Sequence, residues 1–560
     1  MTSSTTHRLP AAVLAVLALV AAATTFGSAS EPKFRHGDPL LVDRDTEDAA
    51  GMKPLEPSLF VDFVYNVVTG RGPVTAGRAK NVNSIDEVPD SSWFTNRAGH
   101  APLTPADVAR GPDMLNGPAT GAWTVVSSKS DGVTPGFTVK DASGQRWFLK
   151  FDPPGFRGMA TGTEVVMTKL MWALGYNVPE NHIAYMRREQ LVMGDGARFA
   201  QPGGRQRAMR IEDIDSLLER ADRESDGSYR VVASRALEGT PIGRIRFDGT
   251  RPDDPNDVVP HQDRRELRGY GTFAAWLNHV DSKSINSLDM LATRDGRSFV
   301  RHHLIDFGSA LGSGAIAPTD YWAGTQYLVE GGMTAKQMIG FGFVHPKYHT
   351  QPFFESAAIG RLPLDNAGFD PEQWKPRIPN QAFLHARADD KFWAAQKLMA
   401  LTTDLLEAAV DAADLRDPAS EAFLVRALAE RRDAIGRAYL TAINPISDPV
   451  LDDYGFLTFR NAAVDADLAR APRGYRAQWA TFDNFTRATT VIGSTASRSP
   501  EMEAPGGLPT RPGTYVRVEL SAVGSSNATW ETPVHAYYLR TAGGWRLVGF
   551  ERMPETTAAR

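Results

Sequence analysis

At 560 residues the chain is too long for one ordinary domain, and two or three are expected. A formal charge of −5 leaves no basic field for nucleic acid or an anionic membrane surface. The absence of cysteine excludes disulfides, thiolate metal sites, cysteine nucleophiles and cysteine lipidation, and a core of this size needs no such staple.

Residues 9–29 are almost all apolar or small, follow a short start carrying His7 and Arg8, and end in Ser28-Ala29-Ser30. This is the pattern of a secretory signal peptide. An uncleaved anchor is the alternative, because the stretch is just long enough to span a bilayer. No later run is long and apolar enough to do so, which places the remainder outside the cytoplasm without a further span. Residues 31–115 read as an irregular extension rich in Asp, Pro, Gly and Asn, with Phe60, Phe63, Tyr65, Trp93 and Phe94 as anchors. Its polar stretch 81–93 reads as turns and caps.

Three strands are predicted at 123–128, 136–140 and 146–151, separated by turn signals. The third carries Lys150 between Leu149 and Phe151, and a lysine inside an apolar strand needs a partner or a ligand. The link between the first two holds Gly132 and Gly136, which suit either a phosphate-covering loop or a plain hairpin turn. A helix at 162–174 follows, with Val166, Leu170 and Leu174 on one face and Gly175 as its stop. Glu164 is either the partner of Lys150 or the acid of a capping box with Thr161; Glu180 and Glu189 are reserve partners. Strands at 181–186 and 190–193, a polar helix at 215–223 and an acidic loop at 253–257 come next. A strong helix at 263–278, with Leu267, Tyr270, Ala274 and Leu277 at helical spacing, runs directly into Asp281.

The segment His279-Val280-Asp281-Ser282-Lys283-Ser284-Ile285-Asn286 is followed, after a predicted strand, turn and strand, by Asp306-Phe307-Gly308. Moving a phosphoryl group needs a carboxylate beside the attacking hydroxyl, an amide and a second carboxylate for a divalent cation, and a cation for developing charge. Asp281, Asn286, Asp306 and Lys283 supply that set. His279 reads as structural, and alternation along a strand lets at most one of His302 and His303 face the site. Neither G-x-S-x-G nor H-E-x-x-H occurs, so serine hydrolase and zinc protease chemistry have no motif.

On Asp281-x-Lys283-x-x-Asn286, Asp306-Phe307-Gly308 and the order of elements before them, the chain resembles the protein-kinase-like superfamily. The resemblance covers about residues 116–445. It implies an α+β, two-lobed protein-kinase-like fold, with a small lobe over about 116–195 and a large lobe over about 196–445. The extension precedes it, and a small all-β domain at 446–560 follows. It also implies ATP with Mg²⁺ or Mn²⁺. Lys150 would contact the α and β phosphates and pair with Glu164, and Gly132 and Gly136 would lie in the covering loop. Asp281 would be the base, Lys283 would steady the transferred group, and Asn286 and Asp306 would hold the metal. The G-x-G-x-x-G loop and the A-P-E triplet are missing. In lacking much of the glycine loop the chain is similar to the secretory-pathway and spore-coat kinases, while Ser309-Ala310-Leu311-Gly312 resembles the sequence after D-F-G in phosphoinositide lipid kinases.

The implied activity is phosphotransfer to a hydroxyl of a protein Ser or Thr or of a glycan. An exported pseudokinase or surface binding protein is the non-catalytic alternative, and AMP or other group transfer is a third reading. Residues 318–385 carry no predicted element. Helices are predicted at 387–413 and 418–442. The last region reads as a β-sandwich or barrel with strands at 475–482, 486–492, 515–522, 534–539 and 545–550, and with Trp479, Tyr537, Tyr538 and Trp545 in its core.

Overall fold

A computed structural model describes residues 31–56, 58–70, 74–129, 134–201, 205–329 and 350–554. The apolar segment 9–29 and Gly132 lie outside the described residues, so neither the leader nor that half of the glycine pair is placed. The extension contains two helices that its composition did not announce, α1 (Leu59–Thr69) and α2 (Pro105–Arg110). Trp93 and Phe94 anchor it as expected: Trp93 stacks on His302 with ring centroids 3.4 Å apart, and Phe94 is fully buried. Gly175 makes room for Phe94, since its φ of 114° is left-handed and a Cβ there would collide with the Phe94 ring. Phe60 and Tyr65 are exposed instead, because the side of α1 that meets the protein carries Asn66, whose amide oxygen accepts from Gln381.

The strands β1 (Trp123–Ser128), β2 (Gly136–Lys140) and β3 (Arg146–Phe151) form the expected meander. They join β4 (Asn181–Met186), β5 (Leu191–Ala200), β6 (Gln206–Ala208) and β7 (Tyr229–Arg235) in a seven-stranded sheet of order β4-β7-β3-β2-β1-β5-β6. The helix α3 (Met159–Ala173) packs against β3, β4 and β7. Period-two alternation divides β3: Trp147, Leu149 and Phe151 enter a core shared with Phe137 and Val139, while Phe148 and Lys150 point to the opposite side. Ile214 and Leu218 of α4 (Ile211–Leu218) close that core. This helix begins four residues before its predicted start, because the Asp213 carboxylate accepts from the Arg210 amide and caps it there.

Below the sheet lie β8 (Thr240–Gly243), α5 (Arg265–Trp276), and the hairpin of β9 (Ser287–Arg294) and β10 (Arg297–Leu304). A second hairpin, β11 (Phe353–Ser356) and β12 (Gly360–Pro363), occupies part of the stretch without predicted elements; residues 330–349 of that stretch lie outside the described residues. The helices α6 (Ala388–Met399), α7 (Thr403–Asp411) and α8 (Pro418–Leu440) complete this lobe. The single helix predicted at 387–413 is thus two. The chain breaks at Leu401, whose carbonyl accepts from Arg432, and restarts behind Thr402, whose hydroxyl bonds Asp404. The helix α5 is buried on every side, so its two arginines need internal partners: Arg265 meets Asp86, Asp389 and Asp390, and Arg268 meets Asp263 and Asp390.

The last region holds β13 (Ile446–Leu451), β14 (Phe456–Asn461), β15 (Gly474–Phe482), β16 (Thr489–Ser497), β17 (Glu501–Glu503), β18 (Tyr515–Val523), β19 (Val534–Thr541) and β20 (Gly544–Glu551). They form an open five-stranded sheet, β16-β15-β18-β19-β20, and a three-stranded one, β13-β14-β17. Neither closes, so the barrel alternative gives way to packed sheets, with β13 against β19 and β20. Trp479, Tyr537 and Tyr538 are buried, as expected of core aromatics, and Trp545 is half-buried. Among the described residues no helix is long and apolar enough to cross a membrane.

Candidate active site

The cleft between the sheet and α5 gathers the residues that the sequence motifs singled out. Lys150, delivered by β3, places Nζ 2.5 Å from Glu164 Oε1 on α3 and 2.8 Å from Asp306 Oδ1. The other Glu164 oxygen accepts the backbone N–H of Phe307 at 3.1 Å, so one carboxylate ties the sheet lysine to the D-F-G backbone. Asn181 reinforces it by donating Nδ2 to the Glu164 carbonyl. The reserve partners are engaged elsewhere: Glu180 pairs with Arg235 and accepts the amides of Met114 and Leu115, and Glu189 is exposed.

The catalytic-loop segment is fixed from several sides. Its entry is held by the His279 amide on the Ala274 carbonyl and by the Arg377 amide on the Val280 carbonyl. His279 is fully buried beside the Phe307 ring, and its Nδ1 lies 2.8 Å from the Tyr270 hydroxyl. Burial holds its imidazole down at about 4, so it is neutral and structural at physiological pH. Asn286 spends its amide nitrogen on Asp281, bonding the backbone carbonyl at 2.7 Å and Oδ2 at 3.0 Å. Lys283 Nζ lies 2.8 Å from the other Asp281 oxygen. The Ile305 amide donates to the Asn286 carbonyl at 3.0 Å, which sets Asp306 next to Asn286.

Asp306 has φ 57°, a left-handed conformation that a non-glycine residue adopts only where its surroundings hold it. The Lys150 ammonium depresses its carboxyl far below the usual range; burial opposes this, and Lys129 adds to it. Burial likewise opposes the charge on Lys150, but Asp306 and Glu164 outweigh it and raise the ammonium above its ordinary value. Burial pushes Glu164 up, with Lys150 pulling the other way. The result is a stable cation between two acids of different proton affinity.

Gly136 opens β2 directly opposite Lys150, and a Cβ there would collide with the Leu149 carbonyl. Its absent side chain is therefore explained by strand packing. The histidine pair does not reach the cleft: His302 bonds Asp289 at 2.7 Å, and His303 is buried against the Arg301 carbonyl. Lys129 and Asn181 were missed by sequence reasoning. For Lys129 the available signal was its place directly after β1, ahead of Gly132 and Gly136 in the sequence. Asn181 carries no local signature.

Asp306 and Asn286 bring a carboxylate and an amide oxygen, donors of the kind a hard divalent cation takes, close together in the chain's fold. Fold and site together define an α+β protein in which a seven-stranded sheet and α3 meet a mainly helical lobe.

No protein-family model and no curated protein matches the chain. Among solved structures it is similar to the crystal structure of the Golgi casein kinase, with 10% identity, a TM-score of 0.29, and coverage of 73% of this chain and 94% of that one. The Golgi casein kinase with Mn/ADP bound gives 10% identity, a TM-score of 0.29, and coverage of 73% and 96%. The Helicobacter pylori proinflammatory kinase CtkA gives 11% identity, a TM-score of 0.25, and coverage of 55% and 93%. Superpositions this loose carry no argument.

Proposed function

We propose that the chain is an ATP-dependent phosphotransferase that uses Mg²⁺ or Mn²⁺ and acts outside the cytoplasm on a hydroxyl of a protein Ser or Thr or of a glycan. The observation that carries this reading is the single cluster of Lys150, Glu164 and Asp306, joined through Ile305 and Asn286 to Asp281 and Lys283. A structural ion pair would need only one acid; here one lysine draws on two, and the second belongs to the D-F-G segment. The apolar run 9–29 supports the setting.

In this reading Lys150 binds the α and β phosphates, and Glu164 orients it. Asp306 and Asn286 hold the cation, which when bound neutralises charge on the phosphates. Asp281 accepts the proton of the acceptor hydroxyl as its oxygen forms the new bond to the γ phosphorus and the bond to the ADP oxygen breaks. Lys283, already beside Asp281, meets the charge on the transferred group. Gly136, and Gly132 beyond the described residues, would border the phosphates at the turn between β1 and β2.

Isotope transfer distinguishes the possible reactions. With ATP labelled separately at the α and γ phosphates, the mature protein is expected to pass only the γ label to itself or to a mixed protein and glycan acceptor pool. Transfer of the α label would replace phosphotransfer by AMP transfer, and transfer of neither label with any acceptor would favour the non-catalytic reading.

A further inference from the structure

The start of α3 lacks a cap of its own. Its N-cap is Gly158, in a left-handed conformation with φ 89° and no side chain to offer. Asp152, buried at the end of the β3 connection, performs that task from outside the helix: its carboxylate accepts the amides of Gly158, Ala160 and Thr161 at 2.8 to 2.9 Å and the Thr161 hydroxyl at 2.7 Å. Arg230 of β7, 3% exposed, lies against this cap. Its Nε donates to Thr161 Oγ1 at 2.9 Å, and its guanidinium stands 3.6 Å from Asp152. The remaining nitrogens leave the sheet lobe: Nη1 donates to the Asp414 carbonyl at 2.6 Å and Nη2 to the Ala413 carbonyl at 2.5 Å, both in the turn between α7 and α8.

That turn is shaped to receive them. Asp414 and Arg416 both have left-handed backbones, with φ 45° and 58°, so the residue between them, Leu415, is thrust towards α3. Leu415 packs on Gly158 and on Gly162, where any Cβ would collide with it. Tyr185 seals the edge: its hydroxyl bonds Asp414 Oδ2 and accepts from Arg230, and Arg416 covers its ring at 4.4 Å. Glu164 comes two residues after Gly162. The helical lobe therefore grips α3 within one turn of the carboxylate that pairs with Lys150.

We infer that Arg230 is a positioning residue that, with Asp152 and the 413–416 turn, locks α3 in the paired position and so keeps the Lys150–Glu164 contact assembled. This inference rests on the phosphotransferase reading for its functional meaning, while the lock itself is physical and can be measured without nucleotide. Arg230 links β7, the α3 cap and the α7–α8 turn through bonds from a charged donor, each of which contributes more than a neutral hydrogen bond.

The test uses Arg230→Lys, which keeps a cation beside Asp152 but cannot span Thr161 and the two carbonyls, and Leu415→Ala, which removes the wedge and leaves Arg230 intact. Hydrogen exchange of the mature protein without nucleotide is expected to speed up about tenfold or more for amides 162–168 in each variant, while amides of α5 keep their protection. Where label transfer is present, kcat/KM is expected to fall about 10²-fold in Arg230→Lys, as for a misplaced catalytic group, with the acceptor KM unchanged. Unchanged exchange in α3 for both folded variants overturns the inference, and so does exchange that rises equally in α5, because Arg230 would then only stabilise the whole. If Arg230→Lys does not fold, Leu415→Ala alone decides by the same criterion. Failure of label transfer in the unmodified protein would overturn the phosphotransferase reading and leave the exchange result legible.

Discussion

Asp281→Asn is expected to slow γ-phosphate transfer by about 10²- to 10⁴-fold, the range that a positioned general base contributes, with little change in the KM for ATP. The substitution preserves shape, and the Asn286 amide can still donate to the new side-chain oxygen and to the carbonyl of residue 281. What disappears is the negative charge that Lys283 faces and the capacity to take a proton. The contacts of Lys150 with Glu164 and Asp306 belong to β3, α3 and the D-F-G segment and stay in place. Rate constants and KM values measured with matched enzyme preparations check this; an unchanged rate would remove Asp281 from the chemistry.

The second large effect is expected from Lys150→Met, which strikes both the phosphates and the fold. Removing one partner of a buried pair costs about 3–5 kcal/mol, and both Lys150 and Glu164 are largely buried. The pH dependence has a definite sign. Asp306 has its carboxyl depressed by Lys150, so its contribution to stability is full above the ordinary carboxyl range, starts to be lost as pH falls below that range, and is gone only once pH falls through the depressed folded value. Without Lys150 that contribution is missing at pH 7 but was already absent in strong acid. The gap in unfolding free energy between the original protein and Lys150→Met should therefore narrow as pH falls below about 4. Denaturant titrations at pH 7 and pH 3 read this directly. A gap that widens in acid would show that Lys150 does not hold Asp306 ionised.

Much of the cleft was legible because its parts announce themselves locally. The meander falls at the predicted residues, since period-two alternation and turn residues coincide there, and the same alternation isolates Lys150 from its apolar neighbours. The D-x-K-x-x-N and D-F-G spacings survive in three dimensions because the β9–β10 hairpin returns the chain to the loop it left, where Ile305 bonds Asn286. Glu164 was ambiguous for a reason that only the fold resolves. The expected helix start made it the N3 acid of a capping box. The helix begins instead at Met159, and Asp152 supplies the cap from a distant position, so Glu164 lies a turn and a half inside and is free to reach Lys150. Arg230 and Asp152 had no signature of their own, being an arginine and an aspartate in unremarkable surroundings whose partners lie up to 184 residues away. The strands β13 and β14 were missed because Pro449 and the Asp452-to-Gly455 turn interrupt their apolar pattern.

The most direct measurement is thermal unfolding of the mature chain with and without ATP plus Mg²⁺ or Mn²⁺, run beside Asp306→Ala. At a hundredfold excess over Kd the nucleotide is expected to add about 2.7 kcal/mol to the unfolding free energy, only when a divalent cation is present and not in Asp306→Ala. No cation-dependent shift with any nucleotide, or an equal shift in Asp306→Ala, would contradict the assignment of this cleft as a nucleotide and metal site.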